Sequence, residues 1–189
     1  MTSPPGCRPV VLFVPVIPAA SLSSSGLLNS IPLFSDFDIK KQEDVNILHK
    51  VYDSITVKKF KKGDLIIKEG DEGDFCYILY SGLVNITRTT PAGDIIALAN
   101  FSSAQNVFFG ENALIGNDPR SATVMAESDC TTLALSGKKF LHLCEQEPTL
   151  GFRVVLYLAK QMAKTIREIN NDKATLFEAL YNEIEGYHE

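Results

Sequence analysis

The feature that most restricts the fold is a series of short β-branched and aromatic runs between residues 55 and 136. The runs are ITVKKF, LIIKEG, FCYILYSGLVNITR, DIIALANF, SATVMAES and TTLALS. Gly-Asp and Ser-Gly pairs separate them, at positions 63–64, 70–71, 73–74, 81–82 and 93–94. Several short strands at even spacing, with turn residues between them, are typical of a sandwich or barrel. The sequence therefore predicts an antiparallel, jelly-roll-like β-roll.

Helical segments are predicted on both sides of these strands, which makes the fold class mainly β with flanking α. IPLFSDF and then DIKKQEDVNILHKVY predict a short hydrophobic anchor and a helix with Asp38 near its start. The apolar positions near one face of that helix are Ile39, Val45, Leu48 and Val51. After the last strand, Ser136 can cap one helix and Pro148 can begin a longer one.

The chain of 189 residues has room for one well-buried domain and appendages. We expect that domain at residues 27–147, followed by a C-terminal helix and tail at 148–189. Residues 1–26 are predicted to be a poorly ordered extension. Their apolar run follows Arg8 and faintly resembles a secretory signal, but Pro9, Pro15 and Pro18 interrupt it. The serine cluster at 21–26 is then a linker.

Composition argues against several classes of function. The net charge is −5, so the chain lacks the excess of basic residues that non-specific nucleic-acid binding requires. The dense basic run VKKFKK at 57–62 alternates with apolar residues and is interpreted as the solvated face of a strand. The four cysteines stand far apart without a C-x-x-C pair, and the three histidines are isolated from one another. This pattern predicts a reduced cytosolic protein without a metal site.

One connection between the predicted strands carries chemistry: FGENALIGNDPRSATV, residues 109–124. Long ordered connections in compact domains are usually functional. Gly110 permits a positive φ, and the unpaired N–H groups at the start of ENAL form an anion site. Arg120 supplies a planar fork suited to two oxygens of one phosphate. Glu111 only accepts hydrogen bonds, so its natural partner is a hydroxyl such as a ribose 2′-OH.

A second interpretation is an internal Glu111–Arg120 salt bridge that pins the loop, and spacing alone does not decide between the two. The whole pattern favours ligand binding. FGENALIGNDPRSATV closely resembles the phosphate-binding cassette of cyclic-nucleotide-binding domains, which has the form F-G-E, an apolar residue, A-L, a short turn, then P-R-x-A-T-V. That family includes cAMP-dependent kinase regulatory subunits, cyclic-nucleotide-gated channels and the catabolite activator family. The resemblance spans about residues 31 to 165.

The resemblance implies a role for each matching residue. Glu111 would hold the ribose 2′-OH and Arg120 would neutralise the cyclic phosphate. The implied ligand-binding residues are Phe109, Gly110, Glu111, Asn112, Ala113, Arg120, Ser121 and Ala122, with no cofactor, metal or catalytic residue. Asn112 departs from the family, which usually has leucine, isoleucine or methionine there. Ser121 favours cAMP over cGMP, since threonine at that position tends to accompany cGMP.

The remaining sequence predicts a sensor rather than an enzyme, a channel or a DNA-binding protein. We find no basic inhibitor sequence, second cassette, membrane span or winged helix, so a stand-alone regulatory domain in the cytoplasm is expected. A homodimer is one possible partner arrangement, because apolar residues of the last helix repeat at three and four spacing. They are Phe152, Val155, Ala159, Met162, Ile166 and Ile169, continued approximately by Leu176, Leu180 and Ile184. The alternatives are packing of this stripe on the β-roll and, for the whole chain, a degenerate scaffold that no longer binds nucleotide.

Overall fold

The computed structural model describes residues 24–116 and 118–185, and their strands form two four-stranded antiparallel sheets. The first sheet contains, in spatial order, β1 (Ile55–Phe60), β8 (Cys130–Ser136), β3 (Phe75–Ser81) and β6 (Phe108–Phe109). The second contains β2 (Leu65–Ile67), β7 (Thr123–Ala126), β4 (Leu83–Thr89) and β5 (Ile95–Ser102). The predicted antiparallel β-roll is confirmed. Among the described strands, the short β6, which pairs with β3 just before the cassette, was not predicted from the sequence.

The two sheets enclose one apolar core because side chains alternate along each strand. Tyr77 and Leu79 of β3 are buried in one cluster with Val84 and Val124 of the other sheet. The ring of Phe109 stacks on that of Tyr77, with 5.7 Å between centroids. Cys76 and Ile78, which alternate with Tyr77 and Leu79 along β3, are buried as well, so β3 is covered on both faces.

Four α-helices are described, and the first two precede the strands: α1 (Ser24–Asn29) and α2 (Gln42–Asp53). Asp44, Ile47, Leu48 and Val51 form the buried face of α2. The prediction that Ile39 shares this face is wrong, because the helix begins only at Gln42 and Ile39 is 48% exposed. Asp38 lies before the helix, and its backbone N–H donates to the Asp44 carboxylate at 2.8 Å.

The other two helices follow β8: α3 (Gly137–Gln146) and α4 (Pro148–Glu185). Pro148 begins the long helix, as its fixed φ predicts. Contacts divide the chain into two compact units between Gly151 and Phe152. Among the described residues, none of the helices combines the length and the apolar character needed to span a membrane.

The N-terminal region was expected to be an extension through residue 26. Helix α1 begins at Ser24, within that stretch, and Leu28 at its end is fully buried. The expectations of an extension and against a signal peptide for residues 1–23 lie outside the described residues.

Candidate ligand-binding site

The cassette begins with a sharp change of backbone direction after β6. Gly110 has φ +74°, and Glu111–Leu114 then form a 3₁₀ helix, called the cassette turn below. A Cβ at Gly110 would lie 2.6 Å from Nη1 of Arg120 and 3.0 Å from Cδ1 of Ile67. Glycine is therefore required twice, for its conformation and for the close approach of the arginine.

The cassette turn is anchored from below and open at its start. Ala113 and Leu114 are buried, whereas Asn112 is exposed. The N–H of Ala113 donates to the Gly110 carbonyl at 3.1 Å. The N–H groups of Glu111 and Asn112 have no acceptor among the described residues. These two donors are the ones free to meet an anion.

Arg120 is fixed through both its backbone and its side chain. Its N–H donates to the Asp71 carbonyl at 3.0 Å, and its carbonyl accepts from Gly70 at 2.8 Å. The guanidinium donates from Nη1 to the Gly110 carbonyl at 3.0 Å and from Nη2 to the Phe75 carbonyl at 2.7 Å. The side chain therefore ties the start of β3 to the start of the cassette turn.

Gly73 also lies against the guanidinium. Together with the carbonyls of Gly110 and Phe75 it forms what is called the Arg120 seat below. A Cβ at Gly73 would lie 2.0 Å from Nε, 2.3 Å from Nη2 and 2.4 Å from Cζ of Arg120. Heavy atoms that are not bonded cannot approach so closely, so any side chain at position 73 would move the guanidinium.

A cavity of about 420 Å³ lies beside Arg120, within the size range of small-molecule sites. Ile66, Ile67, Phe75 and Tyr77 form its apolar lining, and Lys68, Asp71, Glu72 and Asp74 contribute charge. With three carboxylates against two cations, an anionic group is favoured only at the Arg120 end. In the described part of the chain, His, Cys, Asp and Glu side chains form no cluster of three or more that could hold a metal.

Glu111 is half-buried and lies outside the cavity lining. Burial raises the pKa of the Cys76 thiol, the Glu111 carboxylate adds to this effect, and the Arg120 guanidinium opposes it. Glu111 and Arg120 therefore both influence the pKa of the same buried thiol. Among the described residues Glu111 and Arg120 form no ion pair, so the internal salt bridge considered from spacing is not formed.

The structure brings some of the predicted site residues together and leaves others apart. Gly110 and Arg120 are in direct contact, and Phe109 is buried in the core beneath them. Ser121 is exposed and Ala122 is half-buried, on the strand side of Arg120. Of the eight predicted residues, Arg120 is the one that lines the cavity.

The residues that hold Arg120 from outside the cassette were not predicted from the sequence. Phe75 is 45 positions away, and the glycine at 73 resembled any other turn signal. The interpretation of VKKFKK as a solvated face is wrong for Lys58, whose Nζ lies 3.8 Å from the centroid of the Phe75 ring and 3.3 Å from the Tyr77 hydroxyl. Burial lowers the pKa of Lys58. The sequence contains a signal for this position: Lys58 lies two residues before Phe60, which packs on the core, and residues two apart on a strand share one face.

Comparison with known proteins identifies the sequence family of this region. Residues 57–147 match the sequence profile of the cyclic nucleotide-binding domain. A cAMP-dependent protein kinase regulatory subunit of Debaryomyces hansenii is 34% identical over 151 residues, which cover 78% of this chain and 31% of that protein. Human cGMP-dependent protein kinase 2 is 38% identical over 94 residues, covering 49% of this chain and 12% of the kinase. The chain thus spans about a third or less of these relatives.

A solved structure gives the same picture of the fold. The N-terminal domain of a transcriptional regulator from Streptomyces coelicolor A3(2) superposes with a TM-score of 0.63 at 27% identity. The alignment covers 74% of this chain and 91% of that domain. This chain therefore shares the fold of that N-terminal domain over about three quarters of its own length.

Proposed function

Because residues 57–147 belong to the family of cyclic nucleotide-binding domains, we propose that this chain is a sensor that binds a cyclic purine nucleotide, preferably cAMP, and acts by binding rather than by catalysis. The observation that carries the proposal is the seat of Arg120. Its guanidinium is held in place by two carbonyls at one end of a ligand-sized cavity, next to a turn with two free N–H groups.

Each polar group in the proposed complex has one task. Arg120 pairs with the cyclic phosphate through its remaining N–H groups, since a guanidinium has five and two are used. The N–H groups of Glu111 and Asn112 donate to the same phosphate. The carboxylate of Glu111 accepts from the ribose 2′-OH. Ser121 contributes its hydroxyl near the base and is the reason for proposing cAMP over cGMP.

Calorimetric titration of the purified protein tests the proposal. We expect saturable binding of cAMP, weaker binding of cGMP, and no turnover of either nucleotide on prolonged incubation. Linear 5′-AMP is the matched control, because it carries the same base and sugar but a different phosphate. Absence of binding by both cyclic nucleotides would contradict the proposal.

Two observations favour a second candidate, a scaffold that has lost nucleotide binding. Two Arg120 donors already bond main-chain carbonyls, and Asn112 replaces the apolar residue usual in the cassette. In this case Arg120 is purely structural. The same titration separates the candidates, because a scaffold gives no heat with any nucleotide while its fold stays intact by circular dichroism.

We propose that α4 transmits the signal, to a partner or within a homodimer. The apolar stripe described above is exposed along this helix: Phe152, Val155, Met162, Ile166 and Ile169 are between 47% and 69% exposed. Leu176 and Leu180 continue it at 62% and 47%. An exposed stripe of this length on a helix is typical of an interaction surface.

The substitution Ile166→Asp should raise the dissociation constant of such a homodimer by about tenfold or more. The reason is that burial of an isoleucine side chain contributes about 1.5–3 kcal/mol, and each 1.4 kcal/mol is tenfold. Multi-angle light scattering across a concentration series measures it. Gln161→Asp is the control, since it adds the same charge away from the stripe. A parent protein that is monomeric at every concentration would exclude the homodimer and leave only a separate partner.

The substitution Glu111→Gln should reduce the preference for cAMP over 2′-deoxy-cAMP by about fivefold. A hydrogen bond to a charged acceptor is worth about 1.5–3 kcal/mol and a neutral one about 0.5–1.5 kcal/mol. Titrating both ligands into both proteins gives the ratio. Glu72→Gln is the matched control, because it removes one carboxylate from the cavity rim. Equal discrimination by Glu111→Gln and the parent would remove Glu111 from the ribose.

A further inference from the structure

Gly137, the first residue of α3, lies where this helix meets two other segments, the cassette turn and the residue before β3. It is buried, and its N–H donates to the Asp74 carbonyl at 2.8 Å. A Cβ at this position would lie 1.8 Å from the carbonyl oxygen of Ala113 and 2.9 Å from its carbonyl carbon. Gly137 does not have a positive φ, so its backbone conformation is open to alanine. What excludes a side chain is the contact with the cassette turn.

The two segments that meet at Gly137 are those that carry the polar groups of the site. Ala113 belongs to the cassette turn, two residues after Glu111. Asp74 precedes Phe75, whose carbonyl accepts from Arg120. The colliding atoms at Ala113 are main-chain atoms, which cannot yield by changing a rotamer. Gly137 is itself bonded to the Asp74 carbonyl, next to the residue that holds Arg120. A side chain at 137 therefore has to shift the main chain of the cassette turn away from this point.

We infer that Gly137 is a positioning residue for nucleotide binding: its missing side chain sets the distance between the cassette turn and the Arg120 seat. The inference rests on the proposed function. A ligand that bridges Glu111 and Arg120 tolerates little change in their separation, because both hydrogen bonds need donor–acceptor distances near 2.7–3.2 Å. Displacement of the turn breaks the ribose contact of Glu111 and the two main-chain N–H contacts to the phosphate, while the phosphate stays on Arg120.

The test compares Gly137→Ala with Gly116→Ala. Gly116 is the matched control, because it lies in the same connection and lacks a positive φ. The nearest atom that its added Cβ would meet among the described residues is Asp118 Oδ2, at 3.5 Å. Affinities for cAMP and 2′-deoxy-cAMP are measured by calorimetry. In Gly137→Ala we expect the affinity for cAMP to fall about tenfold. The affinity for the deoxy analogue should fall less, because this analogue has no 2′-OH to bond Glu111. Simple destabilisation would lower both affinities equally.

A measurement on the parent protein covers the case in which Gly137→Ala does not fold. The ¹⁵N–¹H resonance of Gly137 should shift more with saturating cAMP than with 2′-deoxy-cAMP, while that of Gly93, in the connection between β4 and β5, stays fixed. Unchanged affinities in a folded Gly137→Ala variant, or a Gly137 resonance that does not respond, would overturn the inference and leave nucleotide binding itself intact. A parent protein that binds neither nucleotide overturns the proposed function first and this inference with it.

Discussion

Replacing Arg120 with alanine should weaken cAMP binding by about a hundredfold or more. A charge-assisted hydrogen bond contributes about 1.5–3 kcal/mol, the phosphate takes two of them, and each 1.4 kcal/mol is tenfold in affinity. Lysine at this position should recover little of the loss. Its ammonium is a single point charge that cannot bond the Gly110 and Phe75 carbonyls while also presenting a fork to the phosphate.

Calorimetry with cAMP measures the effect, and Arg88→Ala is the matched control. Arg88 is an exposed arginine of β4 whose Nε lies 3.7 Å from the Glu69 carboxylate. Its removal changes the net charge by the same amount without touching the seat. If Arg120→Ala binds cAMP as tightly as the parent, both the cassette assignment and the proposed function are wrong.

Arg120→Ala should also lower the stability of the protein without ligand. Comparing this loss with the change in affinity separates a sensor from a scaffold. The half-buried guanidinium donates two hydrogen bonds to main-chain carbonyls, so its removal should lower the free energy of unfolding by about 1–3 kcal/mol. Denaturant unfolding of both proteins measures this loss. A scaffold shows the loss of stability alone, whereas a sensor shows it together with the loss of affinity.

The parts of the structure that sequence predicts are those governed by local rules. Turn residues and the short β-branched and aromatic runs between them marked the strands of the roll, and Pro148 marked the start of α4 at its first residue. The positive φ of Gly110 and the turn after it followed from a short motif. The same kind of reasoning gave a wrong prediction for Ile39, because helix periodicity does not say where the helix begins.

The parts that sequence did not predict depend on contacts between distant segments. The seat of Arg120 is built from residue 75, and the cassette turn rests on Gly137, 24 positions after Ala113. Neither glycine 73 nor glycine 137 has a positive φ, so no local conformational signal marks them. Each is required only because another part of the chain approaches it. Lys58 is similar: its charge indicated solvent, but its place on β1 directs it over the Phe75 ring.

Gly73→Ala should weaken cAMP binding by about tenfold to a hundredfold without unfolding the protein. The added Cβ would fall within 2.4 Å of three guanidinium atoms of Arg120, so the side chain has to leave its seat. Arginine can do so by changing rotamers at modest cost, and the β-roll therefore remains folded. The charge stays near the site, which is why the expected loss is smaller than for Arg120→Ala.

This substitution decides whether the resting position of Arg120 is also its binding position. A guanidinium already held by the Gly110 and Phe75 carbonyls loses little conformational entropy when a phosphate arrives, and that preorganisation contributes to affinity. Expulsion by Gly73→Ala removes this advantage. The alternative is that Arg120 must swing out to meet the nucleotide, in which case Gly73→Ala weakens the resting state and raises the affinity. Calorimetry on Gly73→Ala, with Glu72→Ala as a neighbouring control on the cavity rim, distinguishes a loss from a gain. A gain would mean that the two carbonyls restrain the arginine in the absence of ligand, and that the cassette binds phosphate with Arg120 in a different rotamer.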